Sequence, residues 1–159
     1  MEAEPNKCGF FVTEKTFAWI KESLESLTYF GRKSDFWTWE DTYNNLPNDC
    51  DILYLGLNSL HLKITGIPKK INPFVANLIP IKPKNKQKKF KYGIVYGSHA
   101  LLINKKVAIE WLKAAYPIKW PSDWVFGKLI FESKKLKGYC CDLIEASSDY
   151  KVDSSTELM

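Results

Sequence analysis

Asn48-Asp49-Cys50-Asp51-Ile52-Leu53-Tyr54-Leu55-Gly56 is the stretch on which the fold turns. Its polar first half reads as a turn, because Asn and Asp side chains hydrogen-bond to backbone a residue or two further on. The following Ile-Leu-Tyr-Leu run is continuously apolar and ends at Gly56. A strand with one wet face would alternate, so an unbroken run fits a short strand covered on both faces of a parallel or mixed sheet.

Upstream, Phe17, Ile20, Leu24 and Leu27 recur at spacings of three and four. They mark one apolar stripe of a helix over residues 13–29, with Thr13 as N-cap and Gly31 just past its end. A second helix is expected over residues 36–46. It follows the capping candidates Ser34 and Asp35, carries Phe36, Trp37, Trp39 and Tyr43, and is stopped by Pro47.

Downstream, Pro68, Pro73, Pro80 and Pro83 punctuate an irregular excursion with room for one or two short strands. It contains a lysine-rich loop, residues 82–91. Residues 94–103 read as a strand or strand pair adjoining the 52–55 strand. A helix over residues 105–115 should bury Val107, Ala108, Trp111, Leu112 and Ala115. Pro117 and Pro121 break that helix and introduce a third over residues 122–132, with Ser122 as its N-cap. A last strand is expected over residues 139–144. Strands separated by helices predict an α/β fold, a mixed sheet flanked by helices, in a single domain over residues 1–159.

Composition limits the function classes. The chain has 159 residues, 45% hydrophobic and 14% aromatic, enough for one core and too apolar for a disordered polypeptide. It holds no apolar run of roughly 18 residues, the length a membrane helix needs. Its acidic start, MEAEPNKC, is unlike a signal peptide, so a soluble, cytoplasmic protein is expected. Cys8, Cys50, Cys140 and Cys141 lack CxxC spacing and carry no zinc signature; they read as reduced, partly buried thiols. Adjacent Cys140 and Cys141 should face opposite sides of their strand. The net charge of +5 is almost wholly lysine, Arg32 being the only arginine. With Phe90 as its one interleaved aromatic, the 82–91 loop reads as a solvated loop in preference to a nucleic-acid-binding surface.

Three segments in fixed order carry a family resemblance. Leu46-Pro47 leads into the aspartate-rich turn and Asp51-Ile52-Leu53-Tyr54-Leu55-Gly56; Gly97, Ala100, Leu101 and Ile103 run into Val107-Ala108; and Pro121-Ser122-Asp123 follows. This order resembles the second half of the lipopolysaccharide and collagen galactosyltransferases of glycosyltransferase family 25. Leu101 stands where that family has tyrosine and Val107 where it has glycine. The likeness covers about residues 36–123 and extends toward residue 155. It implies a partial GT-A-like fold and hexose transfer from a UDP-sugar to a glycan or protein acceptor. It further implies Asp123 as a base on the acceptor hydroxyl, His99 bordering the sugar pocket, and Gly97, Ser98, Trp120 and Trp124 as candidates to line the substrate; Trp111, Trp120 and Trp124 read first as core and rim aromatics, with stacking on a sugar face as the alternative.

Family members open with a nucleotide-binding region and a strand ending in Glu-Asp-Asp, which holds a divalent ion such as Mn2+ on the donor diphosphate. Only about 35 residues precede the matched helix here and none supplies that motif. Manganese is therefore expected only if a partner polypeptide brings the missing acidic motif. Glu40-Asp41 is the one adjacent acidic pair in reach, and its helical setting favours a solvated face. Asp49 and Asp51 form a D-x-D pattern for which a structural turn is the preferred reading over metal binding. His61 and His99 read first as ordinary hydrogen-bonded or exposed histidines. Asp123 has its own plain alternative, a carboxylate stabilised at a helix N-terminus. Two other functions stay open: a non-catalytic module that completes or regulates a transferase, and a basic nucleic-acid-binding protein working through residues 82–91.

Overall fold

The computed structural model describes residues 8–10, 13–26, 39–57, 69–80, 95 and 100–141. In chain order they form α1 (Glu14–Ser26), α2 (Trp39–Asn44), β1 (Ile52–Tyr54), β2 (Ala76–Asn77), β3 (Leu101–Ile103), α3 (Lys105–Ala115), α4 (Ser122–Gly127), a π-helical turn (Lys128–Glu132) and β4 (Gly138–Cys140). The strands make one mixed sheet in the order β2-β4-β1-β3. The fold is α/β.

β1 is central because its apolar run can be covered on every side. β3 pairs with it antiparallel, Ile52 opposite Ile103 and Tyr54 opposite Leu101. β4 pairs with it parallel on the other side, Ile52 opposite Gly138 and Tyr54 opposite Cys140. A parallel neighbour needs a long crossover, and α3 and α4 lie in the chain between β3 and β4. β2 closes the far edge antiparallel to β4.

Alternation along β1 divides the core in two. Leu53 packs with Phe10, Ile20, Trp39 and Tyr139. Ile52 and Tyr54 face the opposite layer, with Val107, Val125, Phe126 and Leu129. Thus α1 and α2 supply one layer, α3 and α4 the other. The run has no polar position because neither face meets water; burying Ile52 and Leu53 contributes about 1.5–3 kcal/mol each. Cys140 and Cys141 fall in opposite layers, as their adjacency requires. All four cysteines are buried and none is in a disulfide.

The helix ends follow local chemistry. Thr13 caps α1, its Oγ1 accepting from the Thr16 amide at 3.1 Å. Of the expected stripe, Ile20 is buried and Phe17 half-buried; residues 27–29 lie outside the described set. α2 is shorter than the expected 36–46. Residues 36–38 are not described, and the helix closes at Asn44, where the Asn45 amide is shared between the Asp41 and Thr42 carbonyls at 3.2 Å each. Leu46 is buried beyond its end. Phe17, Trp39 and Tyr43 pack at ring separations of 5.3–5.6 Å, joining α1 to α2.

α3 spans the expected residues, with Asn104 as N-cap: its side chain accepts from the Val107 amide at 3.0 Å. Val107 and Ala115 are buried as expected, but Leu112 is 52% exposed. A helix of this kind buries one stripe, and the 107-111-115 line takes it. Ser122 is not an N-cap. Pro121 holds that place with no side-chain cap bond, and its carbonyl accepts from Trp124 at 3.0 Å and Val125 at 3.2 Å. The expected third helix does reach Glu132, but its second half is π-helical, closed by the Ser133 amide on the Lys128 carbonyl at 3.0 Å. β4 starts one residue before the expected position; residues 142–144 lie outside the described set. Among the described residues no helix is long and apolar enough to cross a membrane.

Candidate functional site

The two ends of β1 have different chemistry. At its amino end, Asp51 is buried. Its carboxylate accepts from Asn104 Nδ2 at 3.1 Å, from Lys106 Nζ at 3.0 and 3.2 Å, and from the Lys137 amide at 2.9 Å. Asn104 Nδ2 also donates to the Cys8 carbonyl at 3.1 Å. One carboxylate therefore ties together the entry to β1, the β3–α3 junction, the approach to β4 and the segment at Cys8. Asp49 accepts from the Tyr139 hydroxyl at 2.7 Å. Burial, and then this hydrogen bond, push the Tyr139 phenol well above its ordinary pKa. Both aspartates of the D-x-D pattern are thus engaged in holding the fold.

Tyr54 ends β1, and its core layer includes Phe126 of α4 with Trp111 of α3 packed against it. The Tyr54 ring is fully buried, and its hydroxyl has no hydrogen-bond partner among the described residues. Burial pushes its pKa well up, and the negative charge of Asp123 adds to the rise. Asp123 lies half-buried in the first turn of α4. Trp111 of α3 packs its ring 6.2 Å from Phe126, which is three residues beyond Asp123 on the same helix face. The Trp111 indole Nε1 is also buried without a partner among the described residues.

Outside this group, Trp120 and Trp124 stack at 5.6 Å with 27° between their planes. Trp120 is 37% exposed, leaving it open to solvent. Asp123, Trp120 and Trp124 therefore lie within one five-residue stretch. Gly97, Ser98 and His99 lie outside the described residues, as do His61 and the 82–91 loop.

The manganese that the resemblance implies does not fit the residues described. Glu40 and Asp41 occupy the first turn of α2, not a strand end, and exposed Glu40 pairs with Lys21 at 3.1 Å. Among the described residues no group of three or more His, Cys, Asp or Glu side chains could hold a metal ion. Cys50 is buried near Cys8 and Cys141, and burial followed by the Cys8, Asp51, Asp49 and Cys141 charges pushes its thiol far above the ordinary value. That is the opposite of a thiolate ready for metal or electrophile.

No family model, curated protein or solved structure matches the chain. Function is accordingly argued from residues and geometry.

Sequence reasoning passed over Tyr54, Asn104 and Lys106. Asn104 had a readable signal, a capping residue directly before a helical stripe. Tyr54 had a weaker one, a polar tip inside an apolar run. Lys106 had none, because its partner Asp51 is 55 residues away in the chain.

Proposed function

We propose that the chain is the acceptor-side part of a glycosyltransferase of the GT-A type, related to family 25, that transfers a hexose from a UDP-sugar to a glycan or protein acceptor in the cytoplasm. The observation that carries the reading is the convergence of the segments bearing the resemblance. The 48–56 stretch supplies the central strand, residues 101–115 supply its antiparallel neighbour and the helix behind it, and Asp123 opens α4, the helix that packs in the Tyr54 layer.

In this reading Asp123 accepts the proton of the acceptor hydroxyl as that oxygen attacks the donor's anomeric carbon in an inverting displacement. The Trp120–Trp124 stack offers a flat face for a sugar ring. Charge on the departing nucleotide is not met by any metal ligand set among the described residues, so a donor-binding half from a partner polypeptide is part of the proposal. Alone, the chain should bind UDP-galactose with manganese no tighter than about 1 mM, about 4 kcal/mol of binding free energy.

The test is a transfer assay with the chain and the polypeptide that co-purifies with it. Wild-type complex should transfer and the Asp123→Asn complex should not, while both unfold at the same denaturant concentration. Full transfer by Asp123→Asn removes the assignment of the base. Manganese-dependent micromolar binding of UDP-galactose by the isolated chain refutes the need for a partner.

A second reading has its own observation. Ile109, Leu112, Tyr116 and Ile118, on and after α3, are 43–78% exposed. Such a face suits a non-catalytic module that docks on a transferase. It is favoured if Leu112→Lys releases the co-purifying polypeptide while that polypeptide transfers sugar with Asp123→Asn as well as with wild type.

A further inference from the structure

A helix on a protein surface ordinarily buries one apolar stripe and turns a polar face to water. α3 carries two stripes. Its inner line, 107-111-115, packs toward α4 and the π-helical turn. On the opposite side Ile109, Leu112 and, just past the helix end, Tyr116 follow at spacings of three and four and are 43%, 52% and 67% exposed. The Tyr116 amide still bonds to the Leu112 carbonyl at 3.3 Å, which keeps Tyr116 in the helical row. Two residues on, Ile118 is 78% exposed. The outer stripe is about 10 Å long, two helical turns. A continuous apolar row on a solvent face marks a surface that another molecule covers.

Charge identifies the covering molecule. Lys105 heads the stripe, and Lys106 and Lys113, seven residues apart, run beside it along one flank. All three are exposed. The one acidic residue of α3, Glu110, is half-buried and already held by Lys113 at 3.0 Å and Lys135 at 3.1 Å. Lys106 and Lys113 keep a donor beyond their pairs with Asp51 and Glu110, because an ammonium has three. The other flank, at Ala108, is uncharged and half-buried. We propose that this face of α3 docks an amphipathic helix of a partner protein, whose apolar row lies on Ile109, Leu112 and Tyr116 and whose single acidic edge lies along Lys106 and Lys113. The docking reading of this face thereby gains a partner chemistry, and depends on that reading only for the partner being a transferase.

Side chains three and four apart form the ridges that fit between the ridges of a second helix. A second copy of this chain would set one lysine row against another, with no carboxylate row on α3 to answer it. A lipid surface presents charge on both sides of an inserted helix, and only one flank of α3 is cationic.

The experiment uses the whole chain and three fluorescein-labelled peptides of about 18 residues, long enough to be helical. One has a leucine stripe edged with glutamate, one the same stripe edged with lysine, and the third is a scramble of the first. Fluorescence anisotropy should show saturable binding of the glutamate-edged peptide, about tenfold or more tighter than either of the others. Leu112→Gln should weaken it about tenfold or more, since Leu112 is the centre of the stripe. Lys105→Glu combined with Lys113→Glu should reverse the preference, the lysine-edged peptide then binding tighter. These changes are on exposed positions, so urea midpoints should hold at the wild-type value, and the charge reversal reports independently of Leu112→Gln. Equal binding of the two edged peptides, binding of neither, or an unchanged preference after charge reversal overturns the proposal. So does sedimentation of the free chain as a dimer that Leu112→Gln separates, which makes the occupant a second copy. Leu112-dependent binding to phosphatidylglycerol vesicles without peptide binding overturns it in favour of a membrane. None of these outcomes touches the transfer assay of Asp123→Asn, and peptide docking with no sugar transfer in any complex keeps this surface while rejecting the transferase reading.

Discussion

Replacing Asp51 by alanine withdraws one carboxylate from three donors at once, and the cost can be worked donor by donor. Lys106 contributes least: its side chain is 56% exposed, so its ammonium returns to water, and a pair of this kind contributes at most about 1 kcal/mol. Asn104 Nδ2 keeps its bond to the Cys8 carbonyl and loses one of two acceptors. The Lys137 amide, at 2.9 Å, loses its side-chain acceptor where the chain enters β4. A hydrogen bond to a charged group contributes about 1.5–3 kcal/mol, so the two together bring the loss to roughly 3–6 kcal/mol. Asp51→Asn keeps one acceptor oxygen but turns an NH2 toward the same donors, and should cost about 2 kcal/mol. Lys106→Met should cost under about 1 kcal/mol. Urea unfolding measures all three as shifts in midpoint at constant slope. An Asp51→Ala protein as stable as wild type, or a Lys106→Met protein as unstable as Asp51→Ala, would refute the network as the clasp between β1, α3 and β4.

Gly138→Ala should destabilise by about 1–3 kcal/mol through overpacking, because a β-carbon there would lie 2.6 Å from Leu78 Cδ1 and 2.8 Å from Ile130 Cδ1; a midpoint unchanged in urea would contradict that packing. Stability should decline in alkali. Cys50, Tyr54 and Tyr139 all have pKa values raised by folding, so their contribution is complete below the unfolded values, about 8.5 for cysteine and 10 for tyrosine, and is lost as pH climbs beyond them. Tyr139→Phe should flatten the fall above about pH 10, and a profile as steep as wild type would show that Tyr139 titrates alike in both states. The four buried thiols should resist iodoacetamide in the folded chain and all react in guanidinium, as read by mass; rapid native labelling of Cys50 would contradict its burial.

Where the sequence spoke clearly, the signal was local. The run 52–55 announced a strand closed on both faces, and the apolar stripe ended by Pro117 set the limits of α3 without tertiary information. Where it misled, the deciding contacts are distant. Leu112 joined a plausible apolar stripe, yet α3 has one sheet to cover and turns Leu112 to solvent. The parallel pairing of β1 with β4 joins residues 86 apart, and no window along the chain contains both. The π turn after Gly127 has no residue type that marks it in advance. The D-x-D pattern reads as a structural turn in preference to a metal motif, but its actual partners, Tyr139, Asn104 and Lys137, are too distant in the chain to be read from it.

That last point bears on what the family resemblance is worth. Most of the residues that carry it stand in structural roles here: Asp51 clasps three elements, Ile52 and Leu53 fill two core layers, and Val107 is buried beneath α3. Residues chosen by packing support a shared fold far better than a shared reaction, since one fold hosts many activities. Asp123 differs from them. It lies half-buried in the first turn of a short helix whose start is already fixed by Pro121; Tyr54, in the layer that α4 packs into, keeps a buried hydroxyl with no partner among the described residues, at a cost of about 1–3 kcal/mol. A fold under selection for stability alone would favour phenylalanine at position 54, so the proposed function rests on Asp123 and Tyr54 more than on residues whose packing already accounts for them.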